Sequence, residues 1–230
     1  MTVYWYLPKR SILSKMLKGV LNMAIKLLDL EPQRRDTILN AALKEFALRG
    51  FDNASTNVIA KEAEISKALM FHYVKNKQEL FLFVYDYFAE LLDEKYFKKM
   101  NFTEKDIFER LRQSYLLQID LIKQYPWILE FNKLSITTSS DEVNKAIEKR
   151  ACKHQSYKIF DMIDVSKFRI GLDIEKCKRF ILWANVGFTN EILDDIRNSQ
   201  TSNLDYQHII ATFDEYFDEL RKVFYTSSSY

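Results

Sequence analysis

Glycine and proline are scarce, with four and three copies in 230 residues, where average usage would give about 7% and 5%. Multi-strand β folds need both at their turns, so the composition argues against sandwiches and barrels. Gly19, Gly50, Gly171 and Gly187 lie too far apart to build a glycine-rich phosphate loop or a dinucleotide fingerprint. The only cysteines, Cys152 and Cys177, have no CxxC or zinc-ligand spacing; they read as reduced thiols of a cytoplasmic protein. No apolar run approaches the roughly 18 residues of a membrane span, so no membrane partner is expected. His72, His154 and His208 are scattered, and neither HExxH nor GxSxG occurs. No catalytic residue, metal or cofactor is therefore expected, and the chain does not read as an enzyme. What remains is an all-α chain of long helices with few breaks, rich in Phe (17), Tyr (13) and Trp (3).

The net charge of +2 hides an asymmetry. Residues 1–80 hold 13 Lys/Arg against 8 Asp/Glu, whereas residues 81–230 hold 21 against 24. The basic end is the candidate for an anionic partner. Residues 11–28 form an amphipathic pattern with Lys15, Lys18 and Lys26 on the polar side, suited to a membrane surface or to DNA phosphates. A second reading stands beside it. Lys18-Gly19-Val20 can be encoded by a purine-rich stretch resembling a bacterial ribosome-binding site two codons before Met23, which would make Met23 the first residue. Residues 1–31 are thus set apart as an N-terminal extension.

Helical periodicity organises the rest. Pro32 suits a first turn and Gly50 a stop, with Ile38, Leu39, Ala42, Leu43 and Phe46 as the apolar stripe between them. Ser55 or Thr56 can cap a short helix ending near Ala63. The turn Glu64-Ile65-Ser66 leads into a third helix, Lys67–Val74, and a long one runs from about Gln78 to Met100. Further helices are expected over Thr103–Tyr125, Pro126 to about Ile136, Asp141 to about Ile163, Asp173 to about Arg197 and Asn203–Phe224. Residues 198–203 read as a loop and 226–230 as a frayed tail.

Two short helices joined by a three-residue turn over residues 55–74 make a helix-turn-helix. Ile59, Ala63, Ile65 and Met70 can face inward, and Ala60 is small enough for close approach. The outward set is rich in the residue types that contact phosphates and base edges. Residues 34–80 resemble the TetR-family DNA-binding domain. The marks are the Ile38–Phe46 stripe, Gly50-Phe51, Ile59-Ala60, Ile65-Ser66-Lys67, Phe71-His72-Tyr73 and Lys75-Asn76-Lys77-Gln78-Glu79-Leu80.

The resemblance implies a dimeric transcriptional regulator, commonly a repressor, reading a palindromic double-stranded operator with its third helix. Carried onto this chain, Ser55 and Thr56 would hold phosphates. Ser66, Lys67, Ala68 and Leu69 would lie nearest base edges, with Phe71, His72, Tyr73 and Lys77 around the recognition helix. Two departures stand out: Glu64 sits where the family usually has glycine, and Phe71 where many members have tyrosine. At positive φ a non-glycine costs about 1–2 kcal/mol. The implied domains are a helix-turn-helix domain over 32–92 and a helical effector-binding and dimerisation domain over 93–230.

In that second part, Phe88, Tyr115, Ile119, Trp127, Phe131, Phe160 and Trp183 lie on long helices able to surround a small apolar or aromatic effector. The last two helices offer a dimer face through Phe180, Ala184, Gly187, Phe188, Phe213, Phe217 and Leu220, unless these are buried within one subunit. Two other functions compete: a ligand-independent architectural or division-control DNA-binding protein, and a helical ligand carrier without DNA binding.

Overall fold

The computed structural model describes residues 27–134, 138–150, 159–198 and 205–226. They are predominantly α-helical, as expected, with no β-strand among them; one isolated antiparallel bridge joins Phe168 to Tyr225. The helices are α1 Pro32–Asn53, α2 Thr56–Glu62, α3 Lys67–Tyr73, α4 Lys77–Leu92, α5 Ile107–Gln124, α6 Ile128–Leu134, α7 Asp141–Arg150, α8 Ile174–Asn198 and α9 Tyr206–Phe224. The putting-together of the chain yields two compact units. The first takes residues up to Phe97 together with 121–156, and the second takes 98–120 with 157–230. Most of residues 11–28, read as a basic amphipathic segment, lie outside the described residues.

In the first unit, the stripe read from sequence is the buried face of α1: Ile38, Leu39, Ala42, Leu43 and Phe46 are at most 1% exposed. Pro32 opens the helix, and Gly50 breaks it at φ 65°, ψ 174°. That left-handed position suits glycine. Phe46 meets Phe81 edge-on at 5.0 Å between ring centroids, and Phe51 meets Phe81 at 5.2 Å. α4 is shorter than its apolar run suggested. It gives way to a π-helical turn, Asp93–Phe97, whose wider spacing lets Tyr96 turn inward to 4% exposure. α6 falls within the stretch expected for it, and residues 135–137 lie outside the described ones.

Of the helix expected from Asp141 to about Ile163, α7 covers Asp141–Arg150, and residues 151–158 lie outside the described ones. Residues 159–164 are not helical, and Met162 sits at φ 57°. The physical reason lies in the second unit. Arg110, 1% exposed, aims its guanidinium at the carbonyls of Ile159 (2.9 Å) and Asp161 (2.6 Å), and also donates to that of Glu104. Those carbonyls serve an arginine fork instead of a helical ladder.

α5 begins four residues later than its periodicity suggested because Asp106 caps it, its Oδ1 accepting from the backbone N–H of Phe108 at 2.9 Å. Burial alone would raise the pKa of this acid. The hydrogen bond from Lys167 (2.7 Å) and the charge of Arg221 outweigh burial and hold it below the ordinary carboxylate value. Asp173 and Asp205 start α8 and α9 by accepting from the N–H groups of Lys176 and His208. The core here joins Tyr115, Ile119, Phe213 and Phe217, with Tyr115 stacked on Phe213 at 3.9 Å. Cys177 is a buried free thiol, its pKa pushed up by burial; Cys152 lies outside the described residues. Thr226 is tied down rather than frayed, its N–H donating to the Lys167 carbonyl at 2.9 Å. The loop expected at 198–203 and the tail beyond Thr226 lie almost wholly outside the described residues.

Candidate nucleic-acid interface

The interface is built from α1, α2 and α3. Ile59, Ala60, Ala63 and Met70 are at most 2% exposed, as their spacing suggested, whereas Ile65, expected to face inward with them, is only half-buried. The turn between the helices is a Schellman arrangement. The Ile65 N–H donates to the Ala60 carbonyl (2.9 Å) and the Glu64 N–H to that of Lys61 (3.1 Å), with Glu64 at φ 52°. A carboxylate side chain therefore occupies the left-handed position that favours glycine. Glu64→Gly is expected to relieve about 1 kcal/mol, read as a rise of about 2–4 °C in the thermal midpoint. No rise would show that the turn bears no strain.

α1 carries the two short helices by polar contacts. The Glu45 carboxylate, 8% exposed, accepts from the Ser55 N–H at 2.9 Å. Arg34 donates to the Glu64 carbonyl at 3.3 Å, and Lys44 meets Glu62 at 2.6 Å. Ser55 stands at the N-cap of α2 but makes no side-chain cap bond, contrary to the capping role read for it. Its backbone N–H goes to Glu45, leaving the hydroxyl for another partner. Ser66 does cap α3, its Oγ accepting from the Leu69 N–H at 3.1 Å. Asn76 caps α4 through Glu79 N–H (2.9 Å), while Glu79 reaches back to the Lys75 N–H (3.2 Å), a variant of the capping box.

The outward face gathers Asn57, Lys61, Ser66, Lys67, Ala68, Phe71, His72 and Lys75, all exposed. Thr56, Leu69 and Tyr73 are half-buried at its edges. The Lys67 ammonium lies 5.9 Å from the Phe71 ring centre, and the His72 and Tyr73 rings meet at 5.8 Å. Lys77 is more engaged than expected. Its ammonium donates to the Asp52 carbonyl at 2.9 Å and sits 4.8 Å over the Phe51 ring, so it also locks α4 to the end of α1. Sequence reasoning missed Val58, 48% exposed on α2. The available signal was its place beside Ile59, whose burial turns Val58 outward.

Residues 38–84 match the model of a family described as bacterial regulatory proteins, tetR family. Over that stretch, which holds the helix-turn-helix, the chain is similar to that family. Solved TetR-family structures share its fold. One from Chloroflexus aurantiacus is 16% identical with a TM-score of 0.56, covering 87% of this chain and 97% of that one. The ketosteroid transcriptional regulator KstR2 of Mycobacterium tuberculosis is 17% identical with a TM-score of 0.58, covering 86% and 98%. Comparison with curated protein sequences finds no match.

The residues expected around an effector divide between the two units. In the first unit, Phe88 and Phe131 line one small cavity with Tyr85, Ala89, Leu92, Ile128 and Asn132. It has room for about one water. Trp127 is buried in the same unit at 7% exposure. In the second, Tyr115 and Ile119 belong to the core, and Phe160 is half-buried against it. Trp183 is 59% exposed and so does not line that core. It lies beside Phe180, 52% exposed, with ring centroids 5.6 Å apart.

Of the residues expected at a dimer face, Phe213 and Phe217 are internal to the second unit at 5% and 3% exposure, the within-subunit alternative. Phe188 and Leu220 are half-buried against that core. Phe180 and Gly187 are exposed along α8, with Ala184 half-buried between them. No heavy atom lies within 4 Å of where a Cβ on Gly187 would stand. No helix among the described residues is long and apolar enough to cross a membrane.

Proposed function

We propose that this chain is a TetR-family regulator: a cytoplasmic, ligand-responsive repressor that binds a palindromic operator as a homodimer. The observation that carries the reading is the outward face of α2 and α3, where Lys61, Lys67, His72 and Lys75 stand exposed around an apolar strip of Ala68 and Phe71. A cationic rim supplies phosphate contacts, and apolar groups suit thymine methyls in the major groove. On this reading Ser55, Thr56, Tyr73 and Lys77 hold the DNA backbone, and Ser66 to Leu69 face the bases. Residues 32–92 serve as the DNA-reading domain and 93–230 as the effector and dimer domain.

The dimer surface uses the exposed edge of α8. Phe180 and Trp183 supply apolar area, and Gly187 leaves room for a second helix to approach. A small apolar or aromatic effector would bind by opening the cavity beside Phe88 and Phe131, since ligand pockets are typically about 300–1,000 Å³. Effector and operator would then oppose each other reciprocally, by about 1–3 kcal/mol.

The test is selection of bound sequences from a random duplex library by the full-length protein. An inverted repeat is expected, its half-sites separated by about one helical turn or a multiple. Enrichment of no motif would overturn the reading and favour a helical carrier.

A further inference from the structure

One polar cluster in the first unit does something its apolar surroundings cannot. The Tyr125 hydroxyl, on a residue 1% exposed, donates to Asp36 Oδ1 at 2.9 Å. Gln124 Nε2 donates to Asp36 Oδ2 at 3.1 Å, and Asn40 Nδ2 donates to the Gln124 carbonyl at 3.0 Å. The Tyr87 hydroxyl stands 3.3 Å from that of Tyr125. Three segments meet here: the start of α1, the middle of α4, and the corner that ends α5. A phenylalanine at position 125 would fill the same space. Hydrogen bonds add direction, because they weaken steeply away from linearity, so they fix an angle where apolar packing tolerates sliding.

That angle matters because α1 carries the reading helices through Arg34, Lys44 and Glu45. On its other side the cluster touches the cavity. Phe88, which lines it, packs edge-on against the Tyr125 ring at 4.9 Å. A shift of Phe88 as the cavity widens would bear directly on the Tyr125 ring.

We infer that Tyr125 and Asp36 are a latch: positioning residues that set the angle of the reading head, and the link through which the Phe88 cavity acts on it. The inference rests on the operator-binding reading given above. It is tested on duplexes in which the selected inverted repeat is lengthened or shortened at its centre. Each base pair turns one half-site by about 34°. The wild-type protein loses about tenfold or more in affinity per base pair changed, the equivalent of 1.4 kcal/mol. Tyr125→Phe and Asp36→Asn flatten the series to within about threefold. A residue that merely adds stability would lower all affinities together and leave the profile steep, so an equally steep profile in both variants overturns the latch.

A second readout needs no DNA. Spin labels at Asn57 and Lys123, both exposed, give one narrow distance distribution in the wild type and a broadened one in each variant. Unchanged widths overturn the inference. Failure of the wild type to select any inverted repeat overturns the operator reading instead, and the spin-label result still decides the latch.

Discussion

Lys67→Ala is expected to weaken binding to the selected operator by about 30- to 100-fold and to leave the thermal midpoint almost unmoved. Lys67 opens α3, is exposed, and holds its ammonium 5.9 Å from the Phe71 ring centre. Its long side chain is thus already laid along the reading face, so less conformational freedom is lost on binding. One lost contact in the groove costs about 1–1.5 kcal/mol. A dimer carries the change twice, which gives about 2–3 kcal/mol and the stated fold-change. Stability is spared because all the folded chain loses is a cation–π contact at an exposed site, worth about 0.5–1 kcal/mol. Titration of a fluorescent operator duplex, beside a melting curve, checks both halves. A loss below threefold would remove Lys67 from the interface.

Arg110→Ala should lower stability by about 3–5 kcal/mol, a large share of the roughly 5–15 kcal/mol that holds a typical domain together. The side chain is 1% exposed and its fork serves the carbonyls of Glu104, Ile159 and Asp161. Truncation strips three part-buried backbone acceptors of their donor at once, and since water reaches them in part, each costs nearer about 1 than 3 kcal/mol. Arg110→Lys should recover only part of the loss, since an ammonium cannot match the spread of a planar guanidinium. Urea unfolding followed by tryptophan fluorescence measures the difference. A change under 1 kcal/mol would show that water replaces the fork without cost.

Much of the first unit was legible because its signals are local. The α1 stripe, the glycine stop at Gly50 and the inward set of the helix-turn-helix each follow from spacing within one or two turns. Glu64 was legible as an oddity from the resemblance, and its φ of 52° gives that oddity a conformational meaning. What could not be read depends on partners far along the chain. Asp36 meets Tyr125 across 89 positions, and Arg110 meets Asp161 across 51. No periodicity marks such pairs. Residues 159–163 were misread as helix for this reason, because the arginine that reshapes residues 159–161 stands on another helix. Phe213 and Phe217 show the same limit. Their place on an apolar face was legible, but whether that face met its own core or a second chain was not.

The candidate site divides along the same line. The exposed residues of α3 came from the pattern, whereas the second attachment of Lys77, to the Asp52 carbonyl, needed the fold. The effector residues were the least legible, because aromatic stripes on long helices look alike whether they line a cavity or fill a core.

If the outward face of α2 and α3 binds duplex DNA through its cations, affinity must fall as salt rises. Salt dependence tests that binding most directly. Affinity of the full-length protein for its selected operator should fall linearly in log–log form, by about 10³-fold or more between 50 and 200 mM salt if six or more phosphates are neutralised. Lys77→Ala, which removes a DNA-backbone contact, should lower the slope by about one per phosphate contact removed. A nearly flat dependence, with the same slope in both proteins, would contradict the account.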